Sequence, residues 1–264
     1  MNKIVREKNP LVHCITNYVT VNDVANAILA VGGAPIMADD IDEIEEIVAK
    51  ANALVINIGT LNQRTAASMW AAASTANKKN VPVILDPVGV GASSLRNKVV
   101  TRLLKNNQFA VIRGNLSEMA FCAGKDSETR GVDSNSDDKK FSAAEIAKIV
   151  AEKYSCVAVV TGAVDVVTDG KNFAQIKNGV PAMSKITGAG CMLSGILGAY
   201  IGACEDKFSA AVNAVASMGI AGEISFEKFS EVGTGSLHIG IIDALSQIDD
   251  EIISARGKIV RYEN

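Results

Sequence analysis

Short apolar runs alternate along the first 161 residues with segments whose apolar positions recur at helical spacing. The strand candidates are residues 11–15, 35–38, 53–58, 82–86, 109–112 and 156–161. The helix candidates between them are residues 20–31, 42–51, 61–79, 94–105, 115–123 and 142–154. Several of the strand runs are continuous stretches of Val, Ile and Leu, which is typical of parallel strands buried on both faces. The pattern predicts an α/β fold with a mostly parallel central sheet flanked by helices.

The rhythm changes after residue 161. Residues 164–179 predict a β-hairpin, because Asp169-Gly170 is a strong turn signal between two strand-like runs. Three helices rich in Gly, Ala and Ser follow, at about residues 188–203, 207–225 and 235–248. No internal repeat or low-complexity linker interrupts the chain, so we expect one domain over residues 1–264.

Two segments allow more than one interpretation. Residues 186–204 form a 19-residue stretch without charge, long enough for a membrane span. Five of these residues are glycine, and Thr, Ser and Tyr interrupt the stretch, which favours a buried helix of a soluble protein. Residues 126–140 have almost no apolar content. They are either a solvated loop or a mobile lid beside an active site.

Composition and charge exclude several classes of protein. With 26 Lys and Arg against 29 Asp and Glu, the net charge of −3 does not suit a nucleic-acid binder. Hydrophobic residues make up 48% of the chain, which excludes wholesale disorder. Five scattered cysteines and two histidines argue against a disulfide framework or a zinc site. The N-terminus lacks the apolar run of a signal peptide, so we expect a cytoplasmic protein that binds no membrane.

Polar residues follow neighbouring strand candidates at the point where ligands bind in open α/β sheets. Asp86 ends one strand, and Arg113, Asn115 and Glu118 follow the next strand along the chain. Alone, Asp86 could equally be a turn cap. Together with Asn115 and Glu118 it is a candidate site for hydrated Mg²⁺, which prefers carboxylates, water and phosphate oxygens. Arg113 adds a planar fork of donors that suits a phosphate.

The glycine-rich segment Thr187-Gly188-Ala189-Gly190-Cys191 opens a predicted helix. The backbone N–H groups of residues 188–191, together with the helix dipole, would hold a phosphate or stabilise charge that develops on an oxyanion. Cys191 in the first turn is a candidate base or nucleophile, and a buried small side chain is the alternative. On the residues alone, Met37 is interpreted as a core side chain and His13 as a hydrogen-bonded structural histidine.

The chain resembles the hydroxyethylthiazole kinase family over nearly its whole length. The matching blocks occur in order and at suitable spacing, at residues 13–19, 25–27, 33–38, 85–89, 113–118, 131–134, 160–162 and 187–191. The resemblance implies a single-domain ribokinase-like fold and a homotrimer with active sites between subunits. It also implies transfer of the γ-phosphate of ATP to the hydroxyl of 4-methyl-5-(2-hydroxyethyl)thiazole, which yields the thiazole phosphate and ADP in thiamine salvage.

The resemblance also implies roles for particular residues. Met37 and Gly188 match positions that contact the thiazole, and Asn17 lies in the same block as other matched residues. Arg113 and Thr161 match ATP-binding positions. These roles reverse the interpretation of Met37 as a core side chain.

Three further positions concern the metal and the proton. Asp86 and Glu118 match the acidic residues around Mg²⁺, and Cys191 occupies the place where most ribokinase-like kinases have an Asp base. Ala189 departs from the family, which commonly has Thr there, so a hydroxyl contact to phosphate is absent. We expect this change to tune phosphate affinity and leave activity intact.

Two alternative functions stay open from the sequence. The first is another ribokinase-like kinase that acts on a pyrimidine or a different small alcohol. The second is a non-catalytic protein that binds thiazole or nucleotide and regulates a partner. The segment from Asn17 to Met37 and Cys191 argue against the first alternative, and the combination of Asp86, Glu118 and Arg113 argues against the second.

Overall fold

A single β-sheet of nine strands runs through the computed structural model, which describes residues 1–125 and 141–263. The spatial order is β2-β1-β3-β4-β5-β6-β7-β8-β9, with β1 to β6 parallel and β7 to β9 antiparallel. The strands are β1 (Leu11–Ile15), β2 (Ala34–Ile36), β3 (Ala53–Asn57), β4 (Val83–Asp86), β5 (Val111–Asn115), β6 (Val157–Thr161), β7 (Asp165–Thr168), β8 (Asn172–Ile176) and β9 (Ile259–Glu263). The predicted loop or lid at residues 126–140 lies outside the described residues.

Helices cover both faces of the sheet. In the described part of the chain they are α1 (Asn2–Lys8), α2 (Val21–Val31), α3 (Ile44–Val48), α4 (Gln63–Lys79), α5 (Ser94–Asn106), α6 (Leu116–Ala123), α7 (Ala143–Tyr154), α8 (Ala189–Ala203), α9 (Lys207–Phe229), α10 (Thr234–Gln247) and α11 (Asp250–Arg256). A 3₁₀-helix spans Pro181–Lys185. The six parallel strands, the hairpin of β7 and β8, and the helices between them confirm the predicted α/β alternation.

Alternate residues of the central strands enter two separate apolar cores. In β3, Leu54 packs in a core with helices α3 to α7, whereas Val55 packs in a core with helices α2, α8, α9 and α10. Every residue of β3 is buried. This arrangement explains the continuous Val, Ile and Leu runs in the sequence, since both faces of each central strand are covered.

Helix α8 packs directly onto the sheet through its glycines. A Cβ atom at Gly198 would lie 2.7 Å from side-chain carbons of both Val12 and Val55, so only glycine allows this close approach. The Tyr200 hydroxyl lies in the core, where it donates to Asn2 Oδ1 at 2.6 Å. The uncharged segment is therefore a buried helix, as predicted. None of the helices in the described part of the chain combines the length and apolar character needed to cross a bilayer.

Three elements near the termini were not predicted from the sequence. Helices α1 and α11 have only seven residues each, of which four and three, respectively, are charged. Strand β9 pairs antiparallel with β8 at the sheet edge, where Val260 lies opposite Gln175. Short elements of this kind are stabilised by tertiary contacts rather than by a strong local pattern.

The parallel strands bring their carboxyl ends to one edge of the sheet. The register pairs Asn57 with Asp86 and Asn115 with Thr161, so polar side chains at four strand ends lie in one row. The N-terminus of α8 begins at Ala189, and its first residues reach this row.

Candidate active site

Asp86 is the most buried acidic side chain of the candidate site, with 0% of its surface exposed. Its Oδ2 atom accepts hydrogen bonds from Asn57 Nδ2 at 2.8 Å, Ser194 Oγ at 2.7 Å and Arg113 Nη1 at 3.3 Å. Its Oδ1 atom is buried and has no hydrogen-bond partner among residues 1–125 and 141–263. Burial raises the pKa of Asp86 to about 6, although the Arg113 charge and the Ser194 hydrogen bond act in the opposite direction.

Arg113 joins the carboxylate of Asp86 to the end of β6. Its Nη2 atom donates to Thr161 Oγ1 at 3.1 Å, and Thr161 in turn donates to the carbonyl of Gly114 at 3.3 Å. The Arg113 side chain is 11% exposed, so its charge lies in a largely desolvated position beside a carboxylate. The structure therefore brings together the two predicted ATP-binding residues and one predicted metal ligand.

In the predicted phosphate-binding segment, Gly188 and Gly190 are each required for a different structural reason. Gly188 has φ of +92°, a conformation that disfavours side chains, and a Cβ there would lie 2.8 Å from Thr20 Cγ2. At Gly190 a Cβ would lie 2.8 Å from both terminal nitrogens of Arg113. The first N–H groups of α8, at Ala189, Gly190 and Cys191, have no intrahelical acceptor. They are available to an anion at this helix end.

The sulfur of Cys191 lies between two side-chain amides. Asn17 Nδ2 lies 3.1 Å from Sγ, and Asn57 Nδ2 lies 3.2 Å from it. Cys191 is partly exposed, whereas the other four cysteines are buried. Cys191 is partly buried against the core of α2 and α8, and its role as a base or nucleophile stays a prediction.

Glu118 connects the loops that follow β4 and β5. Its Oε1 accepts the N–H of Gly89 at 2.8 Å, and its Oε2 accepts the N–H of Asn115 at 2.8 Å. Asn115 Oδ1 accepts the N–H of Glu118 in return, which completes a capping box at the start of α6. The negative charge of Glu118 also raises the pKa of Asp86. The carboxylate thus caps a helix and adds negative potential at the metal position predicted from the sequence.

A cavity of about 430 Å³ opens beside Arg113. Four of the predicted site residues line it: Arg113, Thr161, Ala189 and Gly190. Asp165 and the apolar side chains of Met183 and Met218 also line the cavity. Asn17, Met37, Gly188 and Cys191 do not line this cavity. The predicted site residues therefore form two groups near the N-terminus of α8, those that line the cavity and those that do not.

Met37 is at the same edge of the sheet but has no hydrogen-bonding role. It follows β2 directly, and Ile36 pairs with His13 of β1. Its side chain is partly buried against the core of α2 and α8, near which Cys191 also packs. His13 is fully buried, and its Nε2 lies 2.7 Å from the carbonyl of Ala38. The expectation of a structural histidine is confirmed.

Three polar residues join the site beyond those predicted for it. Ser194 follows Gly190 by one helical turn, which places its hydroxyl on the face of α8 toward Asp86. Asn57 ends β3, a position that the strand-end rule singles out but to which the sequence attached no role. Asp165 lines the cavity, where its Oδ1 accepts the N–H of Gly162 at 2.9 Å and burial raises its pKa to about 6.

Comparison with known proteins identifies relatives that span this whole architecture. A model of the "Hydroxyethylthiazole kinase family" matches residues 2–251. The chain is 51% identical over 256 residues to "Hydroxyethylthiazole kinase" of Ruminiclostridium cellulolyticum, covering 97% of this chain and 94% of that protein. It is 49% identical over 258 residues to the protein of the same name from Clostridium beijerinckii, with the same coverage of 97% and 94%.

Solved structures show the same fold. The hydroxyethylthiazole kinase protein from Pyrococcus horikoshii OT3 superposes with a TM-score of 0.89 at 35% identity, covering 99% of this chain and 97% of that chain. A ribokinase-like superfamily protein from Enterococcus faecalis V583 superposes with a TM-score of 0.67 at 13% identity, covering 94% and 93% of the two chains. The second comparison supports the ribokinase-like fold alone.

Proposed function

The chain belongs to the hydroxyethylthiazole kinase family, and from this we infer that it transfers the γ-phosphoryl group of ATP to the hydroxyl of 4-methyl-5-(2-hydroxyethyl)thiazole. The products are 4-methyl-5-(2-phosphooxyethyl)thiazole and ADP, and the reaction belongs to thiamine salvage. The observation that carries the proposal is the position of the α8 N-terminus. Gly190 lies against Arg113, which lines the cavity. The next residue, Cys191, lies within hydrogen-bond distance of the side-chain amides of Asn17 and Asn57.

We place the nucleotide in the cavity beside Arg113. The guanidinium lies against Gly190 and donates to Thr161, so a triphosphate in the cavity would meet a fixed positive charge and a hydroxyl. The apolar side chains of Met183 and Met218 suit a base. The N–H groups of Ala189, Gly190 and Cys191 would receive charge that develops on the transferred phosphoryl group.

The donor set at Asp86 fits a hydrated Mg²⁺. No three His, Cys, Asp or Glu side chains converge as a cluster within residues 1–125 and 141–263, so a cage made of protein ligands alone is not present there. Mg²⁺ commonly binds through one or two carboxylates together with water and substrate phosphates. The unpartnered Oδ1 of Asp86 would bind it, and Glu118 would contribute through its negative charge. When bound, the ion would neutralise charge on the triphosphate.

We place the alcohol near Asn17, Met37, Gly188 and Cys191. Phosphoryl transfer has a loose transition state, so the protein mainly positions the reactants and neutralises charge. Cys191 Sγ accepts the proton of the substrate hydroxyl as the new O–P bond forms. In a loose transition state the bond from the attacking oxygen to phosphorus is only weakly formed, so the hydroxyl gains little acidity and the base contributes a modest part of the rate.

We also propose that the protein is a homotrimer with active sites between subunits. Tyr18 and Val19 follow Asn17 directly, and they are 76% and 57% exposed in the single chain. Apolar side chains of this size beside a site suit contact with a neighbouring copy. Light scattering coupled to size-exclusion chromatography would test this proposal, and a monomer at working concentration would contradict it.

A cytoplasmic location is part of the same proposal. All five cysteines are free thiols, and four of them are buried at separate positions. Unpaired thiols are typical of proteins in a reducing compartment. Fractionation of cells that produce the protein, with a thiol-labelling control, would test this location.

The deciding experiment measures ADP release by the purified protein with ATP and Mg²⁺, with and without the thiazole alcohol. Mass spectrometry would identify the phosphorylated product. Thiazole-dependent ADP release with formation of the thiazole phosphate is the expected result. Release that depends on a pyrimidine alcohol and not on the thiazole would assign a different kinase activity. ATP binding without any alcohol-dependent turnover would indicate a regulatory binder.

A further inference from the structure

The side chain of Asn57 lies between the proposed metal-binding carboxylate of Asp86 and the proposed base, Cys191. Its Nδ2 lies 2.8 Å from Asp86 Oδ2 and 3.2 Å from Cys191 Sγ. The main-chain N–H of Gly59 donates to its Oδ1 at 2.9 Å, and this contact fixes which end of the amide is the oxygen. Both N–H bonds of the buried Asn57 amide therefore point to functional atoms.

Asn17 supplies a second donor to the same sulfur. Its Nδ2 lies 3.1 Å from Cys191 Sγ and 3.1 Å from Asn57 Oδ1. The N–H and hydroxyl of Thr20 are both within hydrogen-bond distance of Asn17 Oδ1, at 3.2 and 3.0 Å, which fixes the orientation of this amide as well. The sulfur thus accepts two N–H groups from buried amides. Donors in this arrangement stabilise negative charge on the atom that accepts them.

We propose that Asn57 is a positioning residue of the phosphoryl transfer. It holds Cys191 Sγ at a fixed place relative to Asp86 and, with Asn17, makes the sulfur a hydrogen-bond acceptor for the substrate hydroxyl. The identity of that alcohol rests on the proposed function. In the step, the alcohol oxygen forms the new O–P bond, its O–H proton passes to Cys191 Sγ, and ADP leaves with the electron pair of the broken P–O bond.

Asn57→Asp separates this role from a purely structural one. The variant keeps the shape of the side chain and an oxygen for the N–H groups of Gly59 and Asn17. It removes both N–H donors and places a carboxylate beside Cys191 Sγ. Asn17→Asp removes the other donor to the sulfur and keeps the acceptor for Thr20. If Asn57→Asp does not fold, because its new carboxylate lies against buried Asp86, Asn57→Ala takes its place, since it removes both N–H donors without adding a charge.

Asn62→Asp is the matched control. Asn62 is exposed at the N-terminus of α4, where its side chain accepts the N–H of Thr65. An aspartate keeps that cap and adds the same charge at the same edge of the sheet. It does not contact the sulfur of Cys191.

The first readout is the rate at which iodoacetamide alkylates Cys191 at pH 7, measured by peptide mass spectrometry without ATP or thiazole. Because each variant removes an N–H donor to the sulfur and places a carboxylate beside it, we expect Asn57→Asp and Asn17→Asp to react roughly tenfold more slowly than wild type. Asn62→Asp should react at the wild-type rate within about twofold. In turnover, kcat should fall in both test variants while the KM for ATP changes by less than about twofold.

Unchanged or faster alkylation in folded Asn57→Asp and Asn17→Asp would overturn the inference, since the amides would then not determine the state of the sulfur. Slower alkylation in both variants supports it, whether or not wild type phosphorylates the thiazole. If alkylation is slower in both variants but wild type does not phosphorylate the thiazole, the proposed function is withdrawn and the role of Asn57 in holding the sulfur is kept. The two failures are therefore distinguishable.

Discussion

The guanidinium of Arg113 lies directly against Gly190, at a distance where a Cβ atom on residue 190 would be 2.8 Å from both of its terminal nitrogens. A real Cβ does not approach another atom so closely. The contact connects β5 to the first turn of α8 and places a positive charge beside the free N–H groups of a helix end. A small residue in the helix thus determines where an arginine of the sheet edge can lie.

Gly190→Ala should displace Arg113 and weaken nucleotide binding. Loss of one charge-assisted contact to a phosphate is expected to raise the KM for ATP about tenfold or more, because hydrogen bonds to charged groups contribute about 1.5–3 kcal/mol. Steady-state kinetics with varied ATP would measure the change. Gly235→Ala is the control, since Gly235 is also the second residue of a helix and a Cβ there meets nothing within 4 Å. Equal KM values in the two variants would contradict the prediction.

Asp86 should make the protein less stable as pH rises from about 4 to about 6. The pKa of this carboxyl is raised by burial from an ordinary 3.8 to about 6, so the folded state binds the proton more tightly than the unfolded state. Below the pKa of the unfolded state, Asp86 is protonated in both states and does not change the free energy of unfolding. Above the pKa of the folded state, the charged and buried carboxylate lowers the free energy of unfolding by its full amount. A difference of this size corresponds to a cost on the order of 3 kcal/mol, at about 1.4 kcal/mol for each pKa unit.

Asp86→Asn removes that titration and tests the sign. In EDTA and without nucleotide, thermal unfolding of wild type should show a larger loss of stability between pH 4 and pH 6 than unfolding of the variant. Asp165 also has a pKa raised to about 6 by burial, so it contributes to the fall in both proteins. The prediction fails if the two proteins show parallel curves over this range. Turnover by Asp86→Asn should be strongly reduced if the carboxylate helps to bind Mg²⁺.

The sequence predicts the fold well because the fold is carried by local patterns. Continuous apolar runs predict β1 and β3 to β6, and Asp169-Gly170 predicts the hairpin of β7 and β8. Strand β9 was not predicted because it forms by pairing with β8, which is distant in sequence. A partner that lies more than 80 residues away leaves no mark on the strand itself.

The candidate site was predictable in part for the same reason. Strand ends and a glycine-rich helix start are local signals, so Asp86, Arg113 and the segment of residues 187–191 could be identified. The roles of Asn57 and Ser194 depend on which atoms meet across the sheet edge, with hydrogen bonds to Asp86 that span 29 and 108 residues of chain. Only the assembled sheet shows that these two side chains donate to one carboxylate oxygen.

Cys191→Ala should slow turnover without abolishing it. The sulfur accepts a proton in the proposed step, and general bases typically contribute about 10²–10⁴ in rate, with less expected in a loose transition state. Initial rates with saturating ATP and thiazole would measure the loss. The other four cysteines need no matching change, because they are buried. A loss far above this range would assign Cys191 a role other than that of a base.

Ser194→Ala should destabilise the folded protein and leave its substrate contacts in place. The Ser194 hydroxyl is fully buried and donates to Asp86 Oδ2 at 2.7 Å, so its removal deletes a hydrogen bond to a buried carboxylate. We expect a cost of about 1–3 kcal/mol in the free energy of unfolding at pH 7. Denaturant titration would measure it, with an unchanged m-value as the sign that the folded state is intact.

The same variant should respond to pH more steeply than wild type. The hydrogen bond from Ser194 lowers the pKa of Asp86, so its loss leaves the raised pKa higher still. Since a raised carboxyl pKa costs stability above that pKa, the difference between Ser194→Ala and wild type should be small at pH 4 and largest above pH 6. Ser184→Ala is a suitable control, because that residue is exposed and its hydroxyl donates to the carbonyl of Pro181, with no other partner in the described part of the chain. A pH-independent difference between Ser194→Ala and wild type would show that the hydroxyl acts through packing and does not tune the charge of Asp86.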